Sequence, residues 1–211
     1  MQLLDLLFPP RCAGCGRGGQ WFCQQCQAEI MPIPRGLAVP QPLAGLWIAG
    51  FYIHPLDQAI HALKYGGKRR VAEPLGLLLA ETYRRQARIR LPPDALLPTP
   101  LHARRLAERG YNQSALLARV VSRELGLPLV EDALSRVRDT PQQVGLSGGQ
   151  RRKNVAGAFA CRPGHPLVES RRVVLLDDVC TTGATMTACA EALLAAGARE
   201  VWGLALACPS F

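Results

Sequence analysis

Residues 171–185 have the sequence RRVVLLDDVCTTGAT, and this stretch decides the fold prediction. A run of β-branched and leucine residues ends in two adjacent carboxylates, Asp177 and Asp178. A loop of small and hydroxylated residues follows and leads into a helical pattern. A continuous apolar run of this kind is typical of a central parallel strand that is buried on both faces. The stretch therefore predicts a strand, an acidic end and a loop that opens a helix.

The loop after the acidic pair has the residue types of a phosphate site. Thr181, Thr182 and Thr185 supply hydroxyl groups. Backbone N–H groups around Gly183 lie at the positive end of the helix that follows. The two carboxylates suit the hydroxyls of a ribose and a water-bridged magnesium ion, so the stretch predicts a site for a ribose 5-phosphate. The alternative is an N-capped helix after a strand, for which one Asp or Thr would suffice.

Strand-like and helix-like segments alternate on both sides of this stretch. Apolar segments that predict strands lie at 46–52, 95–99, 127–130, 156–161 and 201–207. Apolar residues at helical spacing predict helices from Pro55 to Gly66 and at about 71–88, 112–125 and 184–196. The alternation predicts an α/β fold with a parallel sheet and a ligand site at the carboxyl ends of its strands.

Two C-x-x-C pairs near the start of the chain predict a metal site. Cys12 and Cys15 are separated from Cys23 and Cys26 by seven residues. Four thiolates presented by two tight turns suit a closed tetrahedral zinc site, so we expect structural zinc. Disulfides and a redox C-x-x-C are the alternatives; disulfides are rare in cytosolic chains.

The chain of 211 residues divides into a leader and a larger unit. Residues 1–40 are rich in Pro and Gly and carry the paired cysteines, and 31–42 have the composition of a linker. Residues 41–211 form the α/β unit, with an accessory strand and helices at 41–90 and a core at 91–211. Because the linker separates the two parts, we expect Cys12→Ser to unfold the leader and spare most of the larger core.

The net charge of +9 is concentrated in the middle of the chain. Residues 61–153 hold eighteen basic and eight acidic residues, a net charge of +10. This excess suits a polyanion, either nucleic acid or a ligand with several phosphates, and a solvated basic face is the alternative. No window approaches the roughly 18 apolar residues of a membrane span. The start, MQLLDLLFPP, lacks a basic n-region and is no secretory signal, so we expect the cytoplasm.

The sequence VVLLDDVCTTGAT (173–185) resembles the PRPP-binding loop of the type I phosphoribosyltransferases. The chain as a whole resembles the ComF/GntX family, bacterial proteins linked to DNA uptake during natural transformation. The resemblance is carried by four blocks: LLDLLFPPRCAGCG (3–16), AIHALKYGGKRR (59–70), PTPLHARRLAERGYNQSALLA (98–118) and RVRDTPQQVGLSGGQRRKNVAGAF (136–159). It implies a zinc-binding leader followed by a type I phosphoribosyltransferase-like domain.

The resemblance also implies roles for individual residues. Asp177 and Asp178 would face the ribose of PRPP, which is bound with magnesium. The 5-phosphate would be held by the loop residues Thr181, Thr182, Gly183, Ala184 and Thr185. Cys180, which precedes this loop, departs from the family's often aromatic residue. It is either a reactive thiol at a helix N-terminus or a packing residue, whereas Cys161, Cys189 and Cys208 are expected to be core residues.

Two further loops gain roles from the resemblance. Residues 100–111 match a pyrophosphate-binding loop, in which the candidate ligands are Arg104, Arg105 and Arg109; a solvated basic turn is the alternative. Residues 135–154 match a mobile loop that closes over the substrate and is flexible when empty, with the candidates Arg151, Arg152 and Lys153. Lys64 and Tyr65 end a helix and either line the acceptor side or respond to the helix macrodipole.

Two classes of function remain open. In the first, the protein is a binding module for PRPP or a nucleotide that acts in DNA uptake through single-stranded DNA and a partner such as a DNA-uptake helicase or a recombination loader. In the second, it is an active phosphoribosyltransferase that transfers ribose 5-phosphate from PRPP to a nitrogen acceptor. If DNA binds, arginines on outer helix faces should contribute, namely Arg84, Arg85, Arg119 and Arg123.

Overall fold

The computed structural model describes residues 9–34, 36, 38–87, 92–140 and 148–210, with only the backbone at 148, 151 and 152. The strands are β1 (Gly45–Phe51), β2 (Ala95–Pro98), β3 (Leu134–Arg136), β4 (Phe159–Cys161), β5 (Arg172–Val179) and β6 (Glu200–Cys208). The helices are α1 (Gln24–Ala28), α2 (Leu56–Lys64), α3 (Ala72–Gln86), α4 (Ala103–Arg109), α5 (Gln113–Leu125), α6 (Gly148–Val155) and α7 (Ala184–Ala195). A short 3₁₀ turn, Arg69–Val71, precedes α3.

The main sheet is parallel and has the strand order β1-β6-β5-β2. β5 lies in its interior, and Val173 and Leu175 face one hydrophobic cluster. The alternate residues, Val174 and Leu176, face the cluster on the other side of the sheet. Since successive side chains of a strand point to opposite faces, both faces of β5 are covered. The predicted central parallel strand and the α/β fold are confirmed.

Helices α3 and α5 pack closely beside this sheet. A Cβ atom on Gly76 of α3 would lie 2.5 Å from Cβ of Val120 on α5, a distance that real Cβ atoms do not adopt. Glycine therefore permits the close approach of the two helices at this point. The predicted helices α2, α3, α5 and α7 all form, with bounds within about two residues of those expected.

Three local predictions were wrong. Residues 100–111 are not a continuous loop, because 103–109 form α4, which ends at Gly110 in the left-handed conformation. Residues 127–130 form no named strand and contribute one isolated bridge, between Leu129 and Leu96. Residues 159–161 do form a strand, but β4 pairs antiparallel with β3 in a separate two-stranded sheet.

The segment predicted as a mobile loop, 135–154, is ordered at both ends. Its first two residues belong to β3, and 148–154 lie in α6. Residues 141–147 and the side chains of Arg151 and Arg152 lie outside the described part of the chain. The prediction of one continuous loop over 135–154 is therefore wrong at its two ends, which lie in β3 and α6.

The leader packs against the rest of the chain. Cys12, Phe22 and Cys26 are buried in the same hydrophobic cluster as Trp47 and Leu56 of the larger unit. β1, assigned to an accessory region by the sequence, pairs with β6 and is the edge strand of the main sheet. The expectation that loss of the leader would spare the core does not fit this shared cluster. The division at residue 40 stays a prediction.

No helix in the described ranges is both long enough and apolar enough to cross a lipid bilayer.

Candidate functional site

An open cavity of about 1090 Å³ lies at the carboxyl ends of β2 and β5. Its wall combines the end of β5, the loop that follows it, α4, and the end of α2. Of the residues that the sequence singled out, the structure brings these together at the cavity: Lys64, Tyr65, Arg104, Arg105, Arg109, Asp177, Asp178, Thr181 and Thr185. Thr182, Gly183, Ala184 and Lys153 are not among its lining residues.

The acidic pair is held by three contacts. Oδ1 of Asp177 accepts a hydrogen bond from the Ser114 hydroxyl at 3.0 Å and another from the backbone N–H of Asp178 at 2.9 Å. Nζ of Lys64 lies 2.9 Å from Oδ2 of Asp178. Both carboxylates are buried, so their orientations are set by these contacts and not by solvent. The lysine supplies one positive charge to two adjacent acids.

Burial shifts the pKa values of Asp177 and Lys64. Burial and the neighbouring Asp178 carboxylate together raise the pKa of Asp177 to about 7, against the opposing effect of Lys64. Burial alone would lower the pKa of Lys64, but the attraction of Asp178 and Asp177 leaves that pKa above its usual value. Asp177 therefore gains a proton near neutral pH, while Lys64 stays charged.

The loop that opens α7 is supported from outside the cavity. Gly183, the residue before α7, has φ of +75°, a conformation that favours glycine. A Cβ atom there would lie 2.3 Å from Cγ of Pro40 in the linker. The adjacent Gln41 carbonyl accepts a hydrogen bond of 2.9 Å from the Thr187 hydroxyl. Linker residues thus pack behind the first turn of α7 and leave Thr181 and Thr185 facing the cavity.

Arginines of α4 also line the cavity. Nη1 of Arg104 lies 2.8 Å from Oδ2 of Asp139, and Nη2 of Arg105 donates to the Thr140 carbonyl at 2.8 Å. The guanidinium of Arg109 lies 5.2 Å from the ring centre of Tyr65. These contacts tie the arginines to the cavity, where guanidinium groups suit a diphosphate.

A fourth arginine at this wall was missed from the sequence. Arg136, at the end of β3, lines the cavity and donates to the Thr140 hydroxyl. Burial lowers its pKa, and the nearby charge of Arg105 lowers it further. The only signal in the sequence was its place at the start of a block that was assigned to the mobile loop.

The four leader cysteines form a second centre. Their Sγ atoms all lie within 4.8 Å of one another, with Cys12 and Cys26 3.6 Å apart and Cys15 and Cys23 3.7 Å apart. A zinc ion with Zn–S bonds of about 2.3 Å requires sulfurs about 3.8 Å apart at the corners of a tetrahedron. The predicted cysteines therefore fit a structural zinc ion, which they would hold without an open position.

Comparisons with known proteins agree with both centres. Residues 112–208 match a model described as "Phosphoribosyl transferase domain", and residues 3–37 match one described as "Double zinc ribbon domain". The chain is 35% identical to "Competence protein F" of Haemophilus influenzae over 203 residues, which are 94% of this chain and 85% of that protein. The chain belongs to the ComF/GntX family.

A second curated protein and a solved structure are also similar to this ComF/GntX protein. It is 37% identical over 202 residues to "DNA utilization protein YhgH" of Escherichia coli O157:H7, covering 92% of this chain and 87% of that one. It also resembles the solved glutamine phosphoribosylpyrophosphate amidotransferase from B. subtilis, with a TM-score of 0.40 and 22% identity over 63% of this chain and 25% of that chain.

In this ComF/GntX chain, a magnesium ion at the acidic pair would compete with contacts that the carboxylates already make. A hydrated Mg²⁺ ion binds proteins through one or two carboxylates. Here Oδ2 of Asp178 is held by the ammonium of Lys64, and Oδ1 of Asp177 already accepts two hydrogen bonds. A divalent cation at Asp178 would compete with the lysine for the same oxygen. A magnesium ion bound directly to Oδ2 of Asp178 would therefore have to displace Lys64.

Cys180 is a packing residue. Its side chain is buried in the hydrophobic cluster beneath α7. Burial, together with the charge of Asp177, raises the pKa of its thiol to about 12. The possibility of a reactive thiol with a lowered pKa is therefore wrong: although the helix N-terminus is near, burial dominates.

Arginines on the outer helix faces are paired with acids. Arg119 makes two contacts with Glu131, at 2.8 and 2.9 Å, and Arg123 lies 2.5 Å from Glu73. The other two outer arginines lie near Glu124 and Glu81 respectively: Arg84 at 3.9 Å and Arg85 at 3.5 Å. These glutamates offset much of the outer positive charge.

Proposed function

We propose that this protein binds PRPP, or a nucleotide with the same ribose 5-phosphate, in the cavity at the end of β5. One observation carries the proposal: the Asp177–Asp178 pair, the N-terminal turn of α7 and the arginines of α4 line one cavity. The carboxylates would accept hydrogen bonds from the ribose hydroxyls. The N–H groups of α7, with Thr181 and Thr185, would hold the 5-phosphate.

The remaining part of PRPP, its diphosphate, would lie against α4. Arg104 and Arg105 line this side of the cavity, and Arg136 adds a charge next to them. Magnesium would accompany the diphosphate itself, because Mg²⁺ is commonly bound through substrate phosphates with few protein ligands. Arg151, Arg152 and Lys153 remain proposed contacts from the segment that precedes β4.

Calorimetric titration with PRPP tests this assignment. Thr185→Val removes a hydroxyl that faces the cavity, and we expect PRPP to bind at least about fivefold more weakly. Thr187→Val is the matched control, because Thr187 lies two residues further along α7 and its hydroxyl is bonded to the Gln41 carbonyl. Equal affinities of the Thr185→Val variant and the wild-type protein would contradict the placement of the 5-phosphate.

Release of pyrophosphate separates a binding module from a transferase. We propose binding as the primary activity, and transfer to a nitrogen acceptor as the alternative that the phosphoribosyltransferase fold supports. The purified protein is incubated with magnesium, PRPP and a panel of nitrogenous bases, and pyrophosphate is measured. Release that needs one base, and that fails in Asp177→Asn with Asp178→Asn, would establish the transferase.

We further propose that the protein acts in DNA uptake, in the cytoplasm, with a DNA-uptake helicase or recombination loader as a partner. The support is the naming of its relatives, a competence protein and a DNA utilization protein that match it over nearly their whole length. We propose single-stranded DNA as the nucleic acid that it binds.

A groove of about 460 Å³ at the junction of leader and core suits a nucleic acid strand. Its floor is apolar, formed by Leu116 and Val120, and Trp21 of the leader lies at one side. The guanidinium of Arg70 lies 5.8 Å from the Trp21 ring centre, and Arg69 lines the same groove. An aromatic face and nearby guanidinium groups are what a stacked base and its phosphates require.

Fluorescence anisotropy with a single-stranded oligonucleotide at several salt concentrations tests the groove. We expect Trp21→Ala to weaken binding severalfold, and Arg70→Ala to weaken it and reduce the salt dependence. Arg85→Ala is the control of equal charge, since Arg85 lies on the outer face of α3 beside Glu81. If Arg151→Ala with Arg152→Ala weakens binding and the groove variants do not, the strand binds at the segment before β4 instead.

A further inference from the structure

Lys64 joins two parts of the fold at the candidate site. It ends α2, outside the residues 112–208 that match the phosphoribosyltransferase model. Its Nζ atom nevertheless lies 2.9 Å from Oδ2 of Asp178 at the end of β5. The exposed fraction of its side chain is 19%, and that of Asp178 is 4%. The ion pair is thus largely removed from water.

The position of Lys64 is fixed by its neighbours. The Leu63 carbonyl accepts a hydrogen bond from the Tyr111 hydroxyl, which anchors the last turn of α2. The next residue, Tyr65, packs under the guanidinium of Arg109. The backbone that carries Lys64 is therefore anchored, and its side chain extends to the acidic pair from a fixed helix end.

The charges explain why a cation is needed there. Two adjacent buried carboxylates repel each other, and an unpaired buried charge is costly. An ammonium group at 2.9 Å offsets this repulsion, as a divalent metal would. A metal ion and the ammonium would compete for Oδ2 of Asp178, and their positive charges would repel each other at this distance.

We propose that Lys64 is the resident cation of the acidic pair and takes the place that a divalent metal ion would otherwise occupy between Asp178 and the ribose. The ribose hydroxyls then meet an acidic pair whose negative charge is partly offset by the ammonium, and magnesium is required only at the diphosphate. This inference rests on the proposed function for its ribose, but its claim about the metal can be tested without PRPP.

The first experiment measures binding of Mn²⁺ alone to the zinc-loaded full chain by electron paramagnetic resonance. We expect the wild-type protein to have no Mn²⁺ site that depends on Asp178, so that Asp178→Asn leaves its Mn²⁺ binding unchanged. Lys64→Met should gain one Mn²⁺ site that depends on Asp178, with an affinity at least about tenfold higher than any Mn²⁺ binding by the wild type. Lys64→Arg keeps the charge and should resemble the wild type. A wild-type Mn²⁺ site that disappears in Asp178→Asn overturns the proposal, even if Lys64→Met fails to fold.

The second experiment titrates PRPP with magnesium and with a chelator. We expect the affinity of Lys64→Met for PRPP to depend on magnesium at least about tenfold more strongly than that of the wild type. Equal dependence in both proteins overturns the inference. If the wild type binds no PRPP under either condition, the proposed function fails, whereas the Mn²⁺ measurement still decides the role of Lys64.

Discussion

The hydroxyl of Ser114 donates a 3.0 Å hydrogen bond to Oδ1 of Asp177. Ser114 is fully buried in the first turn of α5, and its own backbone N–H is capped by the Asn112 side chain. Asn112 in turn donates to the Thr99 carbonyl at the end of β2. The start of one helix thus connects the ends of two neighbouring strands and orients the acidic pair between them.

Ser114→Ala is expected to weaken PRPP binding by about tenfold or more, because a hydrogen bond to a charged group contributes roughly 1.5–3 kcal/mol and about 1.4 kcal/mol corresponds to tenfold. Calorimetric titration measures the affinity. Ser122→Ala serves as the control, since the Ser122 hydroxyl bonds the Leu127 carbonyl at the other end of the same helix. Equal losses in the two variants would indicate a general effect on α5.

Asp177→Asn is expected to change how stability depends on pH. A carboxyl whose pKa is raised to about 7 binds its proton more tightly in the folded chain than in the unfolded chain. The free energy of unfolding therefore falls as pH rises from about 4 to about 7, and no more is lost above that range. Between pH 5 and 8, the melting temperature of the wild type should fall by more than that of Asp177→Asn.

The groups that face Asp177 bear on the same experiment. They are Asp178, Lys64, Ser114, Arg136, Cys180 and Cys189. Asp177→Asn leaves all of them in place, and it leaves the zinc ligands unchanged, so the difference between the two proteins isolates one carboxyl. Identical pH profiles would show that Asp177 is ionised throughout the range.

Cys12→Ser is expected to release zinc and to lower the melting temperature of the whole chain by roughly 5 °C or more, because the leader shares a buried cluster with Trp47 and Leu56. Elemental analysis and thermal unfolding are measured together. Cys161→Ser, a substitution outside the cysteine cluster, should keep the metal. An unchanged melting temperature of the larger unit in Cys12→Ser would show that the leader folds independently of it.

Cys180 is expected to react slowly with iodoacetamide. Its thiol is buried and its pKa is raised to about 12, so little thiolate forms at neutral pH. Cys161 is only partly buried and should be labelled first among the cysteines outside the leader. Peptide mapping after a short pulse gives the order. Rapid labelling of Cys180 that PRPP prevents would show that the loop opens in solution.

The sequence predicted the elements whose local pattern is strong. The apolar run before Asp177 could only be a buried strand, and the helix after Pro55 had both a start and a stop. α4 was missed because its arginines suggested a diphosphate loop. Two local signals were present, namely His102, whose side chain caps the helix, and Gly110, which ends it.

Contacts between distant parts of the chain could not be predicted from the sequence. Lys64 was singled out, but nothing near it in the sequence indicates that its partner is Asp178. The same holds for Pro40, which packs against Gly183. Such pairs depend on how α2 and the linker cross the sheet, and local periodicity carries no information about that crossing.

The strand order has a consequence for synthesis on the ribosome. β1 emerges early, yet its only neighbour in the described sheet is β6, the last strand of the chain. β1 therefore has no partner among the described strands until residues 200–208 have been translated. Premature termination before Glu200 would leave β1 without β6 and its apolar edge exposed. We expect such a truncated chain to be bound by chaperones or degraded by proteases, and not to retain partial activity.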